Sequence, residues 1–208
     1  LLNEIEKVLS SGNYILSDEV EKFEKNICKY LKVKFCIGVN SGTDALILSL
    51  LALNIGPGDE VITQANSYIA SAAAINAVGA KPVFVDVLDD QTMDSTKLKS
   101  VINSRTKAII PVHLTGRMCE MDKINIIAKK FNLKVIEDSA QSFGSKYNNK
   151  NSGYYGDCAA FSTHPLKNLN ASGDGGFIVT NKKEIHNFVK LKRNHGHLNR
   201  NRVKFWGM

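Results

Sequence analysis

Lys167 stands in the run Phe161-Ser-Thr-His-Pro-Leu-Lys-Asn-Leu-Asn-Ala-Ser-Gly-Asp-Gly-Gly176, between a short apolar stretch and a glycine-rich one. A lysine held partly away from water on such a turn has a lowered pKa and a neutral amine able to attack a carbonyl. That is Schiff-base chemistry. An exposed loop lysine explains the segment about equally well, because most of the chain's many lysines must be surface residues. Partners elsewhere have to decide between the two.

Three further segments offer them. Asn40-Ser-Gly-Thr-Asp44 joins an apolar run to an apolar helix. Its glycine allows close backbone approach, and a helix N-terminus presents free amides and a positive dipole end. That helix N-terminus, with the Ser162 hydroxyl, is a phosphate site; an ordinary helix cap is the competing explanation. Asp138 ends the apolar run in Val135-Ile-Glu-Asp-Ser-Ala-Gln141. There a carboxylate can hydrogen-bond a protonated pyridine nitrogen, and Gln141 can reach a ring hydroxyl. A polar cap on the next turn serves nearly as well for this segment in isolation. Tyr68, in Asn66-Ser-Tyr-Ile-Ala70, can lay its ring on a flat cofactor, although alone it reads more readily as a half-buried packing aromatic. Pyridoxal phosphate (PLP) is the carbonyl cofactor that most often exploits a Schiff-base lysine.

The elements that must position these residues alternate along the chain. Short apolar runs at 35–39, 60–63, 82–86, 108–112, 134–138, 158–161 and 177–180 have the length and character of buried strands. Between them, helical spacing predicts helices over 43–53, 68–78, 98–102, 121–131 and 183–192. An earlier helix starts at Ser17, which can cap it, and sets Val20, Phe23, Ile27, Tyr30 and Leu31 on one face. Such alternation predicts an α/β fold, a mostly parallel sheet flanked by helices. Ligands of these sheets bind beyond the carboxyl ends of the strands, where every segment above falls. With no linker or low-complexity stretch, the 208 residues read as one domain.

Composition narrows the function classes. The longest apolar stretch, 45–53, is far too short for a bilayer, and no signal peptide opens the chain, so a cytoplasmic location is the default. Four scattered cysteines form neither a disulfide framework nor a metal pattern and read as buried free thiols. The net charge of +7, densest over 182–204, comes without zinc spacing or interleaved aromatics. It therefore reads as a solvated lysine-rich surface, with an anionic small substrate compatible and nucleic acid not expected. The Gly173-Asp-Gly-Gly176 run does not complete a GxGxxG fingerprint, which sets aside a NAD-type Rossmann protein.

Asn40-Ser-Gly-Thr-Asp-Ala-Leu46, Gly56-Pro-Gly-Asp-Glu-Val-Ile62, Pro111-Val-His-Leu-Thr-Gly116, Val135-Ile-Glu-Asp-Ser-Ala-Gln141 and the lysine segment follow one another in that order. Together they resemble the DegT/StrS-type sugar aminotransferases, PLP enzymes of aminotransferase fold type I, nearly from end to end. The resemblance implies that Lys167 carries the internal aldimine and shuttles protons. Asp138 would pair with the pyridinium nitrogen, Gln141 with the ring oxygen, and Tyr68 would stack on the ring. Ser162 and the backbone at Thr43 and Asp44 would hold the phosphate. An amino acid, usually glutamate, would load the cofactor, and a nucleotide-linked keto deoxysugar would accept the amine across a homodimer with shared sites.

The resemblance further implies that residues 1–208 are the PLP-binding large domain, trimmed at its start and lacking the C-terminal small domain. The Gly-Asp-Gly-Gly run leans toward 3-keto substrates. Dehydratases of the same fold typically carry histidine in place of the lysine, so Lys167 argues against them. A regulatory relative without the chemistry is the alternative from another class.

Overall fold

The computed structural model describes residues 2–208. Seven strands form the central sheet: β1 (Phe35–Val39), β2 (Glu60–Gln64), β3 (Lys81–Val85), β4 (Thr106–Ile110), β5 (Lys134–Asp138), β6 (Cys158–Ser162) and β7 (Gly176–Thr180). Their spatial order is β1-β7-β6-β5-β4-β2-β3. The run from β6 to β3 is parallel throughout, whereas β7 lies antiparallel to both β6 and β1. The α/β class and the mostly parallel sheet are therefore as expected, with an antiparallel insertion that hydrophobic spacing does not encode.

Strand alternation divides the core. On one face Ile37, Ala108, Ile110, Ile136, Cys158 and Ile178 pack under α3 (Gly42–Ala52), α4 (Ala70–Ala77) and α7 (Lys183–Lys192). On the other, Ile62, Ile109 and Val135 meet α6 (Met121–Lys130) and the short α5 (Leu98–Val101). Beside them Cys36, Ala159, Phe161, Phe177 and Val179 meet α2 (Asp18–Leu31). Burying both faces is what makes the strands continuous apolar runs. Phe161 and Phe177 pair across β6 and β7 and stack at 4.6 Å, which makes a rigid floor beneath the two strand ends that flank the lysine loop.

Several local expectations change. Ser17 occupies the N-cap of α2, but its side chain makes no cap bond; its carbonyl receives the Val20 and Glu21 amides. Tyr30 leaves the apolar face of α2, being exposed and stacked on Phe143 at 5.1 Å. Helix α1 (Leu2–Ser11) was not anticipated, and it buries none of its residues. Two small antiparallel hairpins, Lys146–Tyr147 with Lys150–Asn151 and His197–Asn199 with Arg202–Val203, are additional. All four cysteines are free thiols, three of them buried. No helix among the described residues is long and apolar enough to cross a membrane.

Candidate active site

At the carboxyl ends of the parallel strands a cavity of about 400 Å³ is lined by Thr43, Tyr68, Asp138, Gln141, Ser162 and Lys167. Six of the seven residues singled out in the sequence thus meet, although they are spread over 125 positions from 43 to 167. Asp44 does not join them. Its amide is taken by the Ser41 hydroxyl at 3.0 Å, and the residue lines a neighbouring groove instead. Ser41 is the N-cap of α3, so the ordinary-cap explanation of this segment holds for the Asp44 amide. Gly42 and Thr43, earlier in the turn, are the first-turn residues at the cavity. Helix geometry leaves their amides without an intrahelical acceptor.

Gly42 matters for space rather than for backbone freedom. A Cβ there would lie 2.8 Å from Ser162 Cβ, so only glycine lets β6 close against the start of α3. The close approach brings one hydroxyl beside two helix-terminal amides, a cradle for an anion. Gly42→Ala is expected to cost about 1–3 kcal/mol of stability through overpacking. It should also weaken binding of a phosphorylated cofactor by about tenfold or more. Thermal unfolding and cofactor titration of one variant measure both; unchanged affinity would remove this cradle from the site.

Asp138 is 5% exposed at the end of β5. Its Oδ2 receives the Ser71 hydroxyl at 2.7 Å and its Oδ1 the Ala140 amide at 3.2 Å. Burial raises its carboxyl pKa above the ordinary value, opposed by those two hydrogen bonds and by the Lys167 charge. A buried carboxylate of this kind is stabilised by a cation delivered to its free lone pairs.

Gln141 is oriented by a turn the sequence does not disclose. Its Oε1 accepts the Thr115 amide at 2.7 Å, so its Nε2 donors are left for the cavity. Thr115 has φ +53°, an uncommon conformation for a β-branched residue, and it aims that amide. Behind the turn, fully buried His113 accepts the Cys119 amide at Nδ1 and donates from Nε2 to Glu137 at 3.0 Å. Glu137 also receives the amides of Gly153, Tyr155 and Gly156. It faces the opposite side of β5 from Asp138, so it anchors the far side of the sheet and not the cavity.

Lys167 is half-buried. Its amide donates to the His164 carbonyl at 2.8 Å, which turns the chain back over the end of β6. Leu169 packs into the core beside Phe161 and Phe177, and Asn168 Nδ2 bonds the Phe143 carbonyl at 2.7 Å. The lysine is thus held by anchors on the residues that follow it. Tyr68 is 71% exposed, against the expectation for a packing aromatic, and leaves a free ring face at the cavity mouth. Residues missed by sequence reading are Ser41, Ser71 and Thr115, each acting through a hydrogen bond to a group already suspected.

A sheet of this topology with a lysine, a buried aspartate and a helix N-terminus around one cavity defines the large-domain architecture of PLP-dependent aminotransferases. The chain belongs to the DegT/DnrJ/EryC1/StrS aminotransferase family, which it matches over residues 1–208. It is 49% identical over 191 residues to dTDP-3-amino-3,6-dideoxy-alpha-D-galactopyranose transaminase of Aneurinibacillus thermoaerophilus, across 91% of the chain and 53% of the relative. It is 45% identical over 198 residues to a Geobacillus stearothermophilus protein named pleiotropic regulatory protein, across 94% and 53%. The crystal structure of S. venezuelae DesV in complex with a ketimine intermediate superposes with a TM-score of 0.95 at 41% identity, covering 98% of the chain and 55% of DesV. The chain spans about half the length of the curated relatives it matches. The family is one of PLP-dependent aminotransferases.

Proposed function

We propose that residues 1–208 form the PLP-binding large domain of an aminotransferase that moves an amine from an amino acid, glutamate by expectation, to the keto group of a nucleotide-linked deoxysugar. The observation that carries this reading is the single cavity shared by Lys167, Asp138, Gln141, Tyr68, Thr43 and Ser162. Its donor set fits PLP. A buried carboxylate suits the protonated ring nitrogen, a Gln141 amide with free donors suits the ring oxygen, and the Gly42–Ser162 cradle suits the phosphate. Bound PLP would supply an electron sink for breaking and making bonds at the amine-bearing carbon.

The chain's own residues then have distinct tasks. Lys167 Nζ would hold the cofactor through its carbonyl carbon, with the carbonyl oxygen leaving as water, and as a free amine it would hold and move a proton at Nζ. Asp138 would keep the ring nitrogen protonated, Gln141 Nε2 would hold the ring oxygen, and Tyr68 would cover one ring face. The Ser162 hydroxyl and the Gly42 and Thr43 amides would bind the phosphate, whereas the Asp44 amide is engaged by Ser41. Exposed Tyr68 and Leu166 rim the cavity with apolar surface, which supports a homodimer that closes the site with a second copy. The name of the A. thermoaerophilus relative supports a nucleotide-sugar acceptor.

A regulatory role draws support from the name of the G. stearothermophilus relative. The assembled cavity argues for chemistry. The two readings separate spectroscopically: glutamate should shift the absorbance of the PLP-loaded protein as the amine is taken up, and a nucleotide-linked keto sugar should restore it. Bound PLP that no amino acid alters would favour the regulatory reading.

A further inference from the structure

We propose that Ser71 is a positioning residue for this site, which fixes the Asp138 carboxylate in the orientation that the ring nitrogen requires. The inference rests on the proposed function and adds a residue to its machinery. Ser71 lies in the first turn of α4, 67 positions from Asp138, and is 1% exposed. Serines inside helices commonly bond back to their own backbone. This one donates instead to Asp138 Oδ2 at 2.7 Å.

A hydroxyl has one proton to give. With that proton on the carboxylate, Ser71 can only accept in its 2.9 Å contact with Ser67 Oγ, whose own proton has both Ser71 Oγ and, at 3.2 Å, the Tyr68 carbonyl within reach. Ser67 itself lines the cavity, so these contacts run from the cavity wall to the buried carboxylate. The Ala140 amide occupies the other oxygen of Asp138. With one donor on each oxygen the carboxylate plane cannot rotate freely, and the remaining lone pairs are available at the cavity. The same helix turn follows directly on Tyr68, so Ser71 also ties the segment that carries the ring-covering aromatic to the residue beneath the ring nitrogen.

Removing the hydroxyl strips a buried oxygen of its donor. Asp138 must then take up a proton more readily or turn away, and both weaken its hold on a ring cation. Lys167, whose charge also acts on Asp138, is unaltered by the change.

The test compares Ser71→Ala and Ser71→Thr in two measurements. Carbon-13 NMR of the Asp138 carboxyl in cofactor-free protein should show its titration midpoint raised in Ser71→Ala and near the parent's in Ser71→Thr. PLP affinity should fall by about tenfold in Ser71→Ala and hold within about threefold in Ser71→Thr. An unmoved midpoint with unchanged PLP affinity in Ser71→Ala would overturn the proposal. Should that variant not fold, Ser71→Cys, a near-isosteric and weaker donor, answers the same question by the same readings. The midpoint is read without cofactor. Parent protein that takes up no PLP would therefore count against the proposed function, and an unmoved midpoint against the role of Ser71.

Discussion

Lys167→Ala should abolish amine transfer, with turnover reduced by at least about a thousandfold, while leaving the fold and much of the phosphate affinity intact. The reason is geometric. Among the residues that line the cavity, Lys167 is the one primary amine, so nothing else there can bond a carbonyl carbon. Its side chain is half-buried on a loop held by Leu169 and Asn168, so removing it should disturb little packing. Lys167→Arg sharpens the test because it keeps the positive charge and loses the nucleophile. Equal losses in both variants would assign the effect to the amine. Survival of turnover in either would sink the assignment.

Asp138→Asn should lower turnover by about a hundredfold to a thousandfold, the usual cost of deleting one preorganised electrostatic partner. It should also make the cofactor-free protein more stable at neutral pH. Burial raises the Asp138 carboxyl pKa, so the folded chain holds that proton more tightly than the unfolded one. The stability this group contributes is therefore full below its unfolded value of about 3.9 and is lost as pH rises through the folded one. Asparagine removes the buried charge and keeps an acceptor for the Ala140 amide, while its Nδ2 donates to Ser71, whose hydroxyl can rotate to accept. Thermal unfolding should thus place the variant above the parent at pH 7, with the gap closing below about pH 4. A catalytic loss paired with a stability gain marks a residue kept for function. Unchanged turnover would take Asp138 out of the site, and a lower melting temperature at pH 7 would contradict the cost assigned to its burial.

The parallel sheet was legible because strands buried on both faces read as unbroken apolar runs, such as Ala108-Ile-Ile110 and Val135-Ile136. Strand direction leaves no such trace, which is why the antiparallel β7 was not foreseen. Asp138 and Gln141 were legible for a similar reason: polar groups stood at the end of an apolar strand, where ligands bind. Ser71 was not, because it sits among alanines in Ala70-Ser-Ala-Ala-Ala74 and its partner is distant in sequence. The orientation of Gln141 depends on the left-handed backbone at Thr115, and no residue-type signal announces that in a threonine. At the start of α3, residue types allowed both a cap and an anion cradle. The structure divides them, with Ser41 capping Asp44 while Gly42 and Thr43 face the cavity. Helix α1 buries none of its residues, so no core contact marks its place in the fold.

The most direct measurement is borohydride reduction of the PLP-loaded protein, followed by mass spectrometry of its peptides. A pyridoxyl group is expected on the peptide that contains Lys167, and on no other lysine of the chain. Recovery of the label on a different lysine, or PLP bound at this cavity without any reducible bond to protein, would contradict the assignment of Lys167.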